Sequence, residues 1–144
     1  MAAPVYADTS FLVSLYVQDA NSSRAADAAR RTAPLFLTPL GRHELRNAIR
    51  LCAFRRQITT AQRERALQDM EQDMAAGVLH AAPLDWPKAL RHAESLGRQH
   101  TETLGSRGMD LLHVASALAL RARRFATFDD RQRRLAGLAG LDVT

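Results

Sequence analysis

The sequence predicts an α/β fold: a short parallel central sheet of about four to five strands, with helices on both faces. Three observations point there. Apolar runs of three to five residues recur at 5–7, 35–38, 78–82 and 125–128. The segments between them carry helical periodicity rather than alternation. Strands this short, separated by helices, pair in parallel and are covered on both faces. At 144 residues the chain suits one domain, 1–144, since domains commonly run about 100–200 residues.

Val5-Tyr6-Ala7 forms the first strand and stops at Asp8-Thr9-Ser10, where Ser10 is placed to cap a short helix over 11–17. Asn21-Ser22-Ser23 caps a second helix, 24–31. Leu35-Phe36-Leu37-Thr38 reads as a buried strand ended by Pro39. A long helix follows over about 40–57. In it Leu45, Ala48, Ile49 and Cys52 make a core stripe at i, i+3, i+4, i+7. Arg42, Arg46 and Arg50 form one exposed row at i+4 spacing, and Glu44 borders the stripe on the opposite flank. Thr59 or Thr60 caps the next helix, which runs to about Ala76 and ends at Gly77. A third strand spans 78–82. Asp85 precedes a helix through about Leu104, and 105–108 is a turn. Residues 111–120 are apolar nearly all round, so that helix is buried. The fourth strand spans 125–128; a last helix near 130–136 and a short strand at 141–143 close the chain.

The composition, 47% apolar and 24% charged, is that of an ordinary globule and excludes a disordered or fibrous chain. No apolar run approaches the ~18 residues of a membrane span; 111–120 is broken by His113 and Ser116. Residues 11–17 follow Asp8 and not a basic region, so they do not read as a signal peptide. Cys52 stands alone and forms no internal disulfide, and a cytoplasmic protein without membrane contact is expected. The net charge is +5, and nineteen of the twenty basic residues are Arg. Codon bias accounts for Arg abundance but not for clustering. Seven Arg lie between Arg42 and Arg65 and six between Arg121 and Arg134. The Arg fork matches phosphate, so an anionic partner is indicated, nucleic acid first.

There is no Walker-type loop, G-x-G-x-x-G, H-E-x-x-H, zinc-ligand spacing or G-x-S-x-G elbow. Four acids stand in awkward places instead. Asp8 and Asp129 end apolar strands, Glu44 borders a core stripe, and Asp110 opens an apolar helix. Each alone reads equally as a cap, a turn residue or a solvated edge. Together they would meet where strand C-termini and helix N-termini share one edge of a parallel sheet. Two like charges 5 Å apart cost roughly 3 kcal/mol at an effective dielectric of ~20, so such a site must protonate or bind cations. All-oxygen ligands favour Mg²⁺ or Mn²⁺. Two such ions could activate water and stabilise the leaving oxygen of a phosphoryl displacement. Thr9, Ser10 and Thr127 are hydroxyls beside these acids.

Four segments carry a resemblance: Tyr6-Ala7-Asp8-Thr9-Ser10; Thr38-Pro39-Leu40-x-x-x-Glu44-Leu45; Asp110-x-Leu112-His113-x-Ala115-x-Ala117; and Thr127-Phe128-Asp129. In this order and spacing the sequence resembles the PIN-domain ribonucleases, and within them the VapC-type toxins of toxin–antitoxin pairs. The resemblance implies a PIN-like fold and a catalytic, metal-binding quartet at Asp8, Glu44, Asp110 and Asp129. Thr9 or Ser10 and Thr127 match its supporting hydroxyls. His113 falls where many members have His, and it reads mainly as a core residue behind the acids. Asp130 is the alternative fourth acid, but the T-x-D pattern favours Asp129. The usual Gly before the fourth strand is absent; Ala122-Arg123-Arg124 stands there. The implied activity is Mg²⁺- or Mn²⁺-dependent endoribonuclease action on structured RNA such as tRNA or rRNA, inhibiting translation and leaving a 5′-phosphate and a 3′-hydroxyl. The implied partners are a small cognate antitoxin and a second copy in a homodimer. Arg42, Arg46 and Arg50 would guide RNA to the acids.

Two enzyme rivals fit worse. A haloacid-dehalogenase-like phosphatase with Asp8 as nucleophile needs an Asp where Ser10 stands and a catalytic Lys better placed than Lys88. A receiver domain needs the same kind of Lys. The non-enzymatic alternative is a PIN-like RNA- or protein-binding module whose acids are structural.

Overall fold

The computed structural model describes residues 4–32 and 34–144. In chain order the elements are β1 (Val5–Ala7), α1 (Thr9–Tyr16), α2 (Ser22–Thr32), β2 (Leu35–Leu37), α3 (Pro39–Phe54) and α4 (Thr60–Ala75). Then come β3 (Leu79–Ala81), α5 (Trp86–Leu104), α6 (Gly108–Ala119), β4 (Arg124–Ala126), α7 (Asp130–Leu138) and β5 (Asp142–Val143). All five strands pair in parallel in the order β3-β2-β1-β4-β5. The α/β class, the five-stranded parallel sheet and the helical cover are those the sequence predicts.

Strand alternation builds two cores. Val5 and Ala7 join Leu35, Leu37 and Ala126 on one face, packed against Leu12, Ala25, Ile49 and Met70 of α1 to α4. Tyr6 and Phe125 point to the other face, against Leu96, Val114 and Leu135 of α5 to α7. Each fully buried aliphatic side chain contributes about 1.5–3 kcal/mol. The chain steps outward from β1 to β3, then returns to place β4 on the free side of β1. The reversal between β1 and β4 is where ligands of open α/β sheets bind.

Several boundaries differ from expectation for local reasons. Asp8, not Ser10, caps α1: its Oδ1 accepts from the Phe11 amide at 3.1 Å, while the Ser10 hydroxyl donates to that same oxygen. Pro39 ends β2 and also opens α3 behind the Thr38 cap, whose Oγ1 accepts from Gly41 N at 3.0 Å. That helix stops at Phe54, short of Gln57, because Arg56 turns left-handed at φ 58°. β4 ends at Ala126, two residues early, since Phe128 N leaves the sheet to donate to Ser10 Oγ at 3.0 Å. No helix among the described residues is long and apolar enough to cross a membrane.

Candidate active site

Beyond the C-terminal ends of β1 and β4 lies a cleft of about 180 Å³. Asp8, Glu44, Asp110 and Asp129 all line it, as do Thr9 and Ser10. Thr127 sits just behind, fully buried. The fold therefore brings the four predicted acids to one edge, each from a different segment.

Asp8 is the deepest, with 4% of its surface exposed. Besides its cap bond, Oδ1 accepts from Ser10 Oγ at 2.7 Å, and Oδ2 accepts from Thr127 Oγ1 at 2.6 Å. Burial pushes its carboxyl above the ordinary 3.8, and these donors pull only partly against it. Glu44 projects from the second turn of α3 and shifts the other way. His113 Nε2 donates to Glu44 Oε1, and Thr9 Oγ1 donates to the same oxygen at 3.0 Å. The His113 hydrogen bond holds the Glu44 carboxyl below its ordinary 4.5. On the far side of the ring, the Tyr6 hydroxyl donates to His113 Nδ1 at 2.7 Å. Tyr6 is buried, which raises its pKa and keeps that donor protonated.

Asp110 lies in the first turn of α6 and does not cap it; Arg107 occupies the cap position. Arg107 Nε instead donates to Asp110 Oδ2 at 3.2 Å. Asp129 caps α7, accepting from Gln132 N at 2.9 Å. Asp130 is exposed and absent from the cleft lining, so of the two neighbours only Asp129 reaches it.

The PIN domain family's sequence model matches residues 5–138. The chain belongs to the PIN domain family. No curated protein matches it. Among solved structures it is similar to FitAcB from Neisseria gonorrhoeae, at 18% identity and TM-score 0.67, covering 96% of this chain and 95% of that one. It is also similar to VapC20 from Mycobacterium tuberculosis, a sarcin–ricin loop cleaving toxin, at 16% identity and TM-score 0.68, covering 95% of each chain. A third is VapBC2 from Rickettsia felis bound to a DNA fragment from their promoter, at 15% identity and TM-score 0.66, covering 98% and 97%. At these identities the likeness is one of fold.

The PIN cleft has the donor chemistry of a hard divalent cation: carboxylate and hydroxyl oxygens with no thiol. Yet among the described residues no three His, Cys, Asp or Glu side chains are grouped to hold an ion. The expected mutual repulsion is relieved differently. Ser10, Thr127 and Phe11 satisfy Asp8, His113 and Thr9 satisfy Glu44, and Arg107 satisfies Asp110. A cation here competes with those donors.

The Arg row also differs from a plain exposed stripe. Arg42, Arg46 and Arg50 line a groove of about 580 Å³ floored by Leu37, Met74 and Pro83. Arg46 is ion-paired with Glu71 of α4. Sequence reasoning missed Tyr6, Arg107 and Gln132 around the PIN cleft. Arg107 and Gln132 carried a signal, since each lies three residues from an acid and i,i+3 neighbours meet on a helix. Tyr6 carried none beyond its place in a strand.

Proposed function

We propose that this PIN domain is a divalent-metal-dependent endoribonuclease, the toxin of a toxin–antitoxin pair that cuts structured RNA such as tRNA or rRNA and inhibits translation. The observation that carries this reading is the meeting of Asp8, Glu44, Asp110 and Asp129 in one cleft at the β1–β4 reversal. Those four carboxylates would hold Mg²⁺ or Mn²⁺, which supplies activation of water and charge stabilisation at phosphorus. The chain's own residues do the rest. Ser10 and Thr127 fix both Asp8 oxygens, and Phe128 N and Asp129 N anchor those hydroxyls in turn. His113 and Thr9 both bond Oε1 of Glu44, which leaves Oε2 for the cleft. Arg42 and Arg50 offer phosphate contacts away from the acids.

The toxin–antitoxin neighbours support a small antitoxin as partner; a homodimer and a cytoplasmic place of action belong to the same proposal. Incubating pure protein with total RNA and Mg²⁺ or Mn²⁺, then sequencing the new 5′ ends, tests the reading. Cleavage at defined sites that EDTA stops is expected. No metal-dependent cleavage of any RNA would leave a non-catalytic binding module as the better account.

A further inference from the structure

One side chain in the cleft has no structural explanation. Gln132 is 2% exposed, lines the cleft beside Asp8 and Asp129, and its Oε1 has no hydrogen-bond partner. The other two such buried atoms among the described residues, in Thr101 and Ser106, lie outside the cleft. A buried amide oxygen left unpaired is costly and is usually avoided.

The chain contains its own control. Thr59-x-x-Gln62 opens α4 with a complete capping box: Gln62 N donates to Thr59 Oγ1 at 3.1 Å, and Thr59 N donates back to Gln62 Oε1 at 2.8 Å. Asp129-x-x-Gln132 opens α7 with the same spacing, but only half the box forms. Gln132 N donates to Asp129 Oδ1, whereas Asp129 N is taken by Thr127 Oγ1 at 3.0 Å. Thr127 thereby displaces the Gln132 amide from its capping role and leaves its oxygen without a partner, in a side chain that lines the cleft and needs only a turn of its amide to present it there.

That oxygen needs a donor, and the neighbouring carboxylates are acceptors. A nucleic-acid strand held by its phosphate presents only acceptors along the backbone, with one exception. The ribose 2′-hydroxyl is a donor, and it is what distinguishes RNA from DNA. We propose that Gln132 Oε1 accepts a hydrogen bond from the 2′-hydroxyl of a nucleotide in the cleft and so sets the preference for RNA over DNA. This rests on the nuclease reading. Sites built to pair a substrate hydroxyl reject the analogue lacking it far more strongly than apolar pockets reject an extra group.

The test uses randomised single-stranded RNA and DNA pools of equal length, with Mn²⁺, and reads the ratio of their cleavage rates. The parent is expected to favour RNA by at least about tenfold. Gln132→Leu should lower that ratio by at least about tenfold, and Gln132→Glu, which keeps an acceptor oxygen, should retain it even if both rates fall. Thermal melting of Gln132→Leu should match or exceed the parent, since an unpaired polar group is removed. Calorimetric Mn²⁺ affinity should be unchanged. An unaltered RNA:DNA ratio in Gln132→Leu overturns the proposal, as does a loss of Mn²⁺ affinity with the ratio intact, which would assign the oxygen to the cation. If the parent cuts neither these pools nor total RNA, the nuclease reading fails first. Filter binding of the two pools then decides whether Gln132 still discriminates, and equal affinity ratios for parent and Gln132→Leu overturn it there too.

Discussion

Replacing Asp8 by Asn separates a capping acid from a catalytic one. Asn keeps an oxygen at Oδ1 to accept from Ser10 Oγ and Phe11 N. At the second position an amide N–H meets Thr127 Oγ1, whose hydroxyl must turn from donor to acceptor. The three hydrogen bonds to the carboxylate, charge-assisted and worth about 1.5–3 kcal/mol each, become neutral ones of about 0.5–1.5. Against that loss, a carboxylate charge no longer has to be buried. The two nearly cancel, so stability at pH 7 should lie within about 1 kcal/mol of the parent, or roughly 2–4 °C in Tm for a domain this size. The pH dependence has a definite sign. Asp8 has a raised carboxyl, so the folded chain binds its proton more tightly than the unfolded chain does. Parent stability from this group therefore falls as pH rises from 3.8 through the raised value. Asn lacks that slope, so the variant gains on the parent across this window and the gain levels off above it. Cleavage should fall at least about a hundredfold, the upper end of what even outer partners of a metal site cost. Thermal melts from pH 3 to 8 and a cleavage assay read both. A variant about 3 kcal/mol less stable at pH 7, or one that cleaves like the parent, refutes the reasoning.

The remaining predictions use the same assays. Mg²⁺ or Mn²⁺ at a hundred times Kd should stabilise the fold by about 2.7 kcal/mol, and EDTA should reverse the shift. Asp129→Asn should lose cleavage while Asp130→Asn, exposed and outside the cleft, stays within about twofold. Replacing Arg42, Arg46 and Arg50 together should weaken RNA binding and reduce its salt slope by about 1–2, most of it from Arg42 and Arg50 because Arg46 is paired with Glu71. Tyr6→Phe should cost about 1–3 kcal/mol, by leaving His113 Nδ1 without its donor, and should slow cleavage through Glu44.

Much of this was legible because it is local. Apolar runs bounded by Asp8 and Pro39 gave strands and caps, and helical spacing put Glu44 at the edge of a core stripe. Asp8, Asp110 and Asp129 were singled out by their positions at strand and helix ends, since parallel α/β sheets gather those ends on one side. What stayed hidden depends on long-range pairing. Nothing near Ser10 in sequence shows that its hydroxyl accepts from Phe128 N, 118 residues away, which is why β4 ends early and Ser10 is not the cap. The Tyr6–His113–Glu44 chain joins three elements and has no sequence signature. The i+4 Arg row was legible, but Arg46 is half-buried and paired with Glu71, and the groove needs Met74 and Pro83 from elsewhere in the chain.

The fold supplies positive charge of its own to the four acids. Asp8 caps α1, Asp129 caps α7, and Asp110 lies in the first turn of α6, so three helix N-termini point at one acidic cleft. Each such placement is worth about 0.3–1 kcal/mol and up to about 2 when partly buried. Arg107 adds a cation at Asp110, and His113 an N–H donor at Glu44. Like-charge repulsion alone would predict a fold that is unstable without metal, but these partial charges offset much of it. The ion's stabilising effect then comes from the difference between its oxygen contacts and the donors it displaces. Variants that remove a donor without removing an acid should separate the two. In Arg107→Gln, Asp110 loses its cation and keeps its charge, so metal-free stability should fall and Mn²⁺ affinity should rise. An Arg107→Gln protein with weaker Mn²⁺ binding would mean that Arg107 does not compete with the ion, and the charge balance drawn here would be wrong.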